Sequence, residues 1–587
     1  MRARSATLYA LALAAGTATA QTITARGVVY EDRNADGARQ AGEPGIPSVA
    51  VSNGVDVVLT DERGNYRIEI DDRDAVVFVV KPRGFQVPLD AQNLPRFSYS
   101  HKPEGSLDDG FVWEGVAPTG PLPASIDFGL RRVEEPDAFT VIAFGDPQPY
   151  SLEQIDFFRR ESIEQLFQPG PGGTSGNNAG AALGISLGDL VGDRLDMFEP
   201  LNQAQALLGV PWYNVYGNHD MNFMSGDSAL TAEDPDRHAD ETFERVYGPT
   251  DYAFQHGSVH FILLDNVIYQ GFEGYRDNTG EGWPEGRHPQ TGNYRGGLRP
   301  EQIEFVKNYL AVVPTDELVV LAMHVPLEMH GPGVHRVPEK RELFEALSSH
   351  PHTLSLSGHT HLQEHWFFGA RDGYTPGAPN QHTIDDPQRF PEPVHHHINA
   401  VTVSGSWYGG IRDETGVPHT TMRDGAPNGY TLLHFDGNRY RTEFRASRRP
   451  AEDQMKIALL DGETPVMEAS PGEDRTVFVN VYNGARGDDV RWRLVPNPAL
   501  GAPPTGWSPM TFKWRTDPVY GASYQRELAA SEAGAANRVS PEPRFSYHVW
   551  ETELPKRLPA GTHVIEVRHT DLYGKTHTGR ISFRATD

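Results

Sequence analysis

The chain has 587 residues, too many for one compact core, and at about 100–200 residues per domain it should hold three or four units. Hydrophobic residues make up 38% and charged residues 22%, which excludes a disordered or membrane-embedded chain. A formal net charge of −27 disfavours nucleic acid and anionic membrane as partners, and the absence of cysteine excludes disulfides and a cysteine-linked lipid anchor. Any metal site must be built from oxygen and imidazole nitrogen.

Arg2 and Arg4 precede a short apolar run, Leu8 to Ala15, and small residues Ala18-Thr19-Ala20 follow. This is the pattern of a secretory signal peptide over residues 1–20, with the mature chain starting at Gln21. The run is far shorter than the roughly 20 residues that span a bilayer, and no later stretch qualifies, so a periplasmic or secreted protein without a transmembrane segment is expected. Residues 21–133 contain short β-prone runs between turns, such as Val49–Gly54 and Gly64–Ile70, and should form a small all-β sandwich.

From 137 to 447 strands alternate with helices, which implies an α/β domain. Thr140–Phe144 reads as a buried strand. Ser151 to Phe167 reads as an amphipathic helix opened by a Ser151/Gln154 capping box. Later apolar runs at 184–188, 212–217, 260–265, 318–324 and 353–358 read as strands, with helices near 301–313 and 340–349. Asp436-Gly437-Asn438 marks a hairpin. Residues 449–587 return to β-type runs and should form a second β-sandwich.

Five of the central strands end in residues suited to hold metal. They are Gly145-Asp146-Pro147-Gln148, Gly188-Asp189-Leu190-Val191-Gly192-Asp193, Gly217-Asn218-His219-Asp220, Met323-His324 and Gly358-His359-Thr360-His361. Any one alone is more often a turn, a cap or a packed histidine. Five in succession, each directly after an apolar strand, can converge beyond the carboxyl ends of a sheet.

In this order the motifs closely resemble the calcineurin-like metallophosphoesterases, in a bacterial subgroup with extra N- and C-terminal β domains. The resemblance implies two sandwiched sheets flanked by helices, placed between the two β-sandwiches. It implies two divalent ions: Asp146, Gln148 and His361 on the first, Asn218, His324 and His359 on the second, and Asp189 bridging both. His219 would be the general acid. Hydrolysis of a phosphoester needs a strong nucleophile and neutralised phosphoryl oxygens, and two ions about 3.5–4 Å apart meet both needs. Bound ions reverse the local field, so the acidic chain is compatible with a small or protein-borne phosphoester.

Two positions depart from the family pattern. Where most members have histidine stands Gln148, whose neutral oxygen favours Mn²⁺, with Mg²⁺, Fe or Zn²⁺ as alternatives. Where many members place an acid to orient the catalytic histidine stands Gly192, which leaves Asp193 or Asp220 for that role.

Asp32, Asn34, Asp36, Gly37 and Glu43 match positions 1, 3, 5, 6 and 12 of an EF-hand loop, though the flanks read as β. The loop is expected to bind structural calcium, the alternative being a turn-rich loop that binds nothing. Of His395-His396-His397, His397 is a candidate for the substrate pocket; the alternative is a solvated loop edge. Trp407, in Ser404–Gly410, is a second pocket candidate. The long loop Tyr269–Leu298 either covers the site and shapes its specificity or is a surface excursion. Two other functions compete with a mono- or diesterase: a phosphoprotein phosphatase, and a non-catalytic binding or adhesion protein that displays Trp492, Trp507 and Trp514. A nuclease is disfavoured by the acidic balance.

Overall fold

The alternation of apolar residues sorts the strands into three pairs of sheets and one two-stranded ribbon. The computed structural model describes residues 21–106, 111–166, 180–222, 236–270, 294–329, 337–369, 394–418, 420–500, 506–532 and 539–587. The expected signal peptide and most of the loop Tyr269–Leu298 lie outside the described residues. No helix among the described residues is long and apolar enough to cross a membrane.

The N-terminal part is a sandwich of two four-stranded sheets, its core built from inward residues such as Tyr66, Ile68 and Ile70 on one strand. The central part has a five-stranded sheet in which Leu183–Ser186 pairs in parallel with both Ala138–Phe144 and Trp212–Asn214. Facing it is a six-stranded sheet whose strands Val259–Leu263, Leu318–Ala322, Thr353–Ser357 and Val394–Asn399 run parallel. Val141 and Ala143 point into the core shared by the two sheets, whereas Ile142 and Phe144 point to the other face and pack with helical residues such as Phe158 and Leu201. That is the two-layer sandwich flanked by helices, and it places both sets of parallel strands with their carboxyl ends toward one site.

Ser151 caps its helix through a bond from the Gln154 N–H (3.3 Å), but the Gln154 side chain reaches the Tyr150 N–H (2.6 Å) rather than that of Ser151. The helix is not uniform: a π-helical stretch, Arg159–Ile163, interrupts it. The Asp436 hairpin is a two-residue loop with Gly437 at φ 60°, the position where glycine alone is unstrained.

The three adjacent histidines correct the sequence reading. They lie within the strand Val394–Asn399 and are all buried, so a solvated loop edge does not describe them. His395 and His397 share one face and both bond Ser355 Oγ (2.7 Å each), while His396 on the opposite face meets Tyr440 (2.9 Å). His397 also accepts the Leu327 N–H (3.2 Å), so it braces the sheet.

The C-terminal part is a sandwich of two five-stranded sheets; a helix, Pro518–Glu532, that the β-type reading of this segment missed, connects the neighbouring strands Thr511–Thr516 and Phe545–Glu553 of one of them. The helix residues do not place one apolar stripe on one face, so no helical period announced it. Trp492 is buried in this core; the guanidinium groups of Arg493 (4.5 Å) and Arg568 (4.6 Å) both lie over the Trp507 ring. Trp514 is 42% exposed and belongs to the other sheet, so the three tryptophans do not form one surface.

The flanking sandwiches are joined to the centre by buried polar contacts. Lys102 lies among Asp74 (2.6 Å), Glu244 (3.1 Å) and Glu241 (3.3 Å), which hold its ammonium charged despite burial. On the other side Asp424 accepts the Gln363 N–H (2.7 Å) and meets His548 of the C-terminal sandwich (3.1 Å).

Candidate metal centre

The five motifs meet at the carboxyl ends of the two facing sheets. Asp146 and Gln148 follow Ala138–Phe144, Asp189 follows Leu183–Ser186, and Asn218 follows Trp212–Asn214. His324 follows Leu318–Ala322, and His359 and His361 follow Thr353–Ser357. Each chain turns sharply there. Asp146, Gln148, Asp189, His359 and His361 all have positive φ, between 40° and 75°, a conformation costly for non-glycine residues and concentrated at functional sites.

The glycines of the motifs make room for their neighbours' ligands. A Cβ on Gly188 would stand 2.4 Å from His324 Nδ1; one on Gly217, 2.5 Å from Asp189 Oδ1; one on Gly358, 2.4 Å from Asp146 Oδ2. Gly188→Ala should therefore displace His324 as well as strain a backbone at φ 86°. We expect a loss of stability on the order of 1–3 kcal/mol in denaturant unfolding, with a fall in bound metal measured on the same sample.

Hydrogen bonds to the backbone set the orientation of the imidazoles. His324 Nδ1 donates to the Leu187 carbonyl (2.8 Å), which turns Nε2 inward. There it meets Asn218 Oδ1 (3.0 Å), Asp189 Oδ1 (3.1 Å) and His359 Nδ1 (3.2 Å). Four lone-pair atoms at this spacing call for a positive charge among them. With a proton in that role, burial is outweighed by Asp189 and His324 is raised to about 9. His361 Nδ1 donates to the Gly405 carbonyl (2.6 Å), turning its Nε2 toward Asp146 Oδ1 (3.7 Å); burial lowers this imidazole to about 4. Asp146 accepts the His359 N–H on both oxygens (3.0 and 2.9 Å). Burial pushes Asp146 upward, while at Asp189 burial is overcome by His324 and His219, which hold it below the usual carboxylate range.

The residues fit a pair of divalent ions. Gln148 is 1% exposed, its Nε2 donates to Asp189 (3.3 Å), and its Oε1 is buried without a hydrogen-bond partner. An orphaned buried oxygen is costly unless a cation or donor meets it. Asp189, His324 and His359 place ligand atoms within 4.8 Å of one another. The other cluster of this kind among the described residues, Asp74, His238 and Glu241, already holds the Lys102 ammonium.

His219 stands apart from these ligands. Its N–H donates to Asp189 Oδ1 (2.8 Å), its ring Nδ1 bonds Asp193 Oδ1 (2.8 Å), and Nε2 points toward Asp189 Oδ2 at 3.9 Å. Burial would lower its pKa, but Asp193 and Asp189 prevail and raise it to about 10. Gly192 lies against the Tyr150 ring, where a Cβ would come within 2.5 Å, and Asp193, at φ 58°, reaches the imidazole instead. Asp220 is fully buried and accepts the N–H groups of Gly217 (2.9 Å), Leu190 (3.1 Å) and Val191 (3.2 Å). Its place is therefore between two ligand loops, which it ties together.

Trp407 lies against His361 with ring centroids 4.2 Å apart and the planes tilted by 30°. Several neighbours had no signal in the sequence. Asn266 accepts the N–H groups of His324 (3.2 Å) and Val325 (2.9 Å). Tyr294 sets its ring edge-on to His359 at 6.0 Å, and Tyr150 does the same to His219 at 6.3 Å.

Three family profiles match the chain: calcineurin-like phosphoesterase over residues 139–363, the N terminal of calcineurin-like phosphoesterase over 33–111, and its C terminal over 397–577. The chain belongs to the calcineurin-like phosphoesterases, with the N- and C-terminal modules of that family, and is a metal-dependent hydrolase of phosphoester bonds. Among curated proteins, none matches the sequence. Among solved structures, the chain is similar to purple acid phosphatase PPD1 from yellow lupin (Lupinus luteus) seeds, at 11% identity and a TM-score of 0.31, over 74% of this chain and 68% of that one. It is also similar to GAP50, the anchor in the inner membrane complex of Plasmodium, at 12% identity and a TM-score of 0.28, over 53% of this chain and 85% of that one.

Proposed function

We propose that this protein is an exported phosphoesterase that hydrolyses phosphate mono- or diesters with two divalent ions and with His219 as general acid. The observation that carries the reading is the ring of acceptor atoms around His324 Nε2 together with the orphaned Gln148 Oε1. Asp146, Gln148 and His361 would hold one ion, Asn218, His324 and His359 the other, and Asp189 both. Bound there, the ions supply the charge that neutralises the phosphoryl oxygens and activates the attacking water.

The chain's own residues do the rest. His219 holds a proton on Nε2, and Asp193 fixes the ring through Nδ1, so the proton is available to the departing oxygen. Asp220 and Asn266 are positioning residues that act through the loops of Asp189 and His324. Gln148 is the neutral ligand that favours Mn²⁺ over Zn²⁺.

The test is to strip metal from the chain beginning at Gln21 and assay a phosphomonoester and a phosphodiester reporter as ions are added back. Hydrolysis should return with Mn²⁺ and be weaker with Zn²⁺. A folded, metal-loaded protein that turns over neither reporter would favour the binding-protein reading. The ratio of the two rates separates monoesterase from diesterase.

A further inference from the structure

We infer that Tyr150 selects the leaving group of the phosphoester, favouring an alcohol that carries a flat apolar ring; this rests on the reading of His219 as the group beside the departing oxygen. Half-buried aromatic side chains stand around the metal centre, each against a different histidine. His361 and His359 are proposed ligands, so Trp407 and Tyr294 stand beside the ion positions. Tyr150 is the one that meets His219, with ring centroids 6.3 Å apart and the planes 75° from parallel.

The backbone holds Tyr150 in that place. The Gln148 N–H donates to the Asp189 carbonyl (3.0 Å) and the Gly192 N–H to the Pro149 carbonyl (3.0 Å), which ties the loop 148–150 to the loop 189–193. The Tyr150 N–H donates to Gln154 Oε1 (2.6 Å) at the start of the next helix. Gly192 is what admits the ring. A Cβ there would stand 2.5–2.6 Å from the ring atoms Cδ2, Cε2 and Cζ, so the glycine lies under one face of the phenol. A side chain at position 192 would push the ring away from His219.

His219 meets the substrate through Nε2, because Nδ1 is bonded to Asp193 (2.8 Å). The carbon skeleton of the alcohol then extends past the imidazole, where a phenol 6.3 Å away is within reach of a ring two or three bonds from the ester oxygen. Beyond Tyr150 the surface stays apolar. Leu152 is 63% exposed and Ile411 is 50% exposed. Their neighbours Glu153 and Arg412 pair through two bonds (2.9 and 3.1 Å), which brings both apolar side chains to one stretch of surface. Apolar side chains exposed singly are ordinary; two of them beside an aromatic ring form a shelf for an apolar group. A polyol would desolvate its hydroxyls against that shelf, whereas a flat ring gains apolar burial and an offset or edge-on contact with the phenol.

The test compares 2-phenylethyl phosphate with ethyl phosphate on the Mn²⁺-loaded full chain. Both are alkyl esters, so the ring is the only difference. The ring-bearing ester should have the higher kcat/KM by about three- to tenfold, mostly through KM. Tyr150→Ala should remove most of that preference, and Tyr150→Phe, which keeps the ring, should retain it. If Tyr150→Ala does not fold, the exposed pair Leu152→Ser and Ile411→Ser should lower the preference instead. A loss shared equally by both esters, with their ratio kept, would make Tyr150 a mere support of His219 and overturn the assignment. Binding of 3-phenylpropylphosphonate and propylphosphonate, in which carbon replaces the ester oxygen, needs no turnover and is measured by calorimetry. If neither ester is hydrolysed, the role of His219 falls, while a Tyr150-dependent preference for the phenyl phosphonate upholds the contact. Equal binding of the two phosphonates, or a preference that Tyr150→Ala leaves intact, would overturn it.

Discussion

Asp189→Asn should fold and lose phosphoester hydrolysis by roughly 10³-fold or more. The figure follows from several kcal/mol of charge stabilisation by bound ions, at 1.36 kcal/mol per tenfold in rate. The substitution keeps the shape and one oxygen that can accept the His219 N–H, now at 2.8 Å. It removes the negative charge that faces His324 Nε2 at 3.1 Å, and turns an acceptor near Gln148 or His219 into an amide donor. A bridging ligand lost this way should release both ions rather than one. Metal content and kcat/KM measured together decide it: a variant that retains two ions and most of its activity would place the bridge elsewhere.

The second large effect is expected at His219, and its signature differs. His219→Ala should lower kcat by about 10²–10⁴-fold, the usual worth of a positioned general acid, while both ions stay bound. The loss should depend on the leaving group. An alkyl phosphate needs a proton on its departing oxygen, whereas a nitrophenyl phosphate scarcely does, so the alkyl ester should suffer most. Equal losses for both esters would show that His219 stabilises charge without donating its proton.

Asp193 supplies the companion measurement. Its carboxylate, 2.8 Å from Nδ1, helps raise the His219 imidazolium to about 10. In Asp193→Asn that support is gone and the imidazolium loses its proton at lower pH. The alkaline limb of the kcat profile should therefore move to lower pH, because the protonated form is the active one. A limb that does not move would assign it to another group.

The sequence by itself determined which chain segments end at the shared site, and in what order. Each of the five motifs follows an apolar run, and strand period and strand-end chemistry are both local properties, readable over four to eight residues. The glycines at 188, 217 and 358 belong to the same local signal, although their reason, the close approach of a neighbour's ligand, does not.

The tertiary structure alone decided everything that depends on which side of a strand faces which neighbour. His397 and His359 look alike as residues near strands; the pairing of Thr353–Ser357 with Val394–Asn399 sends one into the sheet and leaves the other at its end. The choice between Asp193 and Asp220 turned on a positive φ at Asp193 and on three amides that surround Asp220. Asn266 and Tyr294 reach the site across 58 and 65 residues of chain from His324 and His359 respectively, contacts that no local pattern encodes. Periodicity reports how a segment meets its own core, and only the packing of sheet on sheet determines which distant residues share a site.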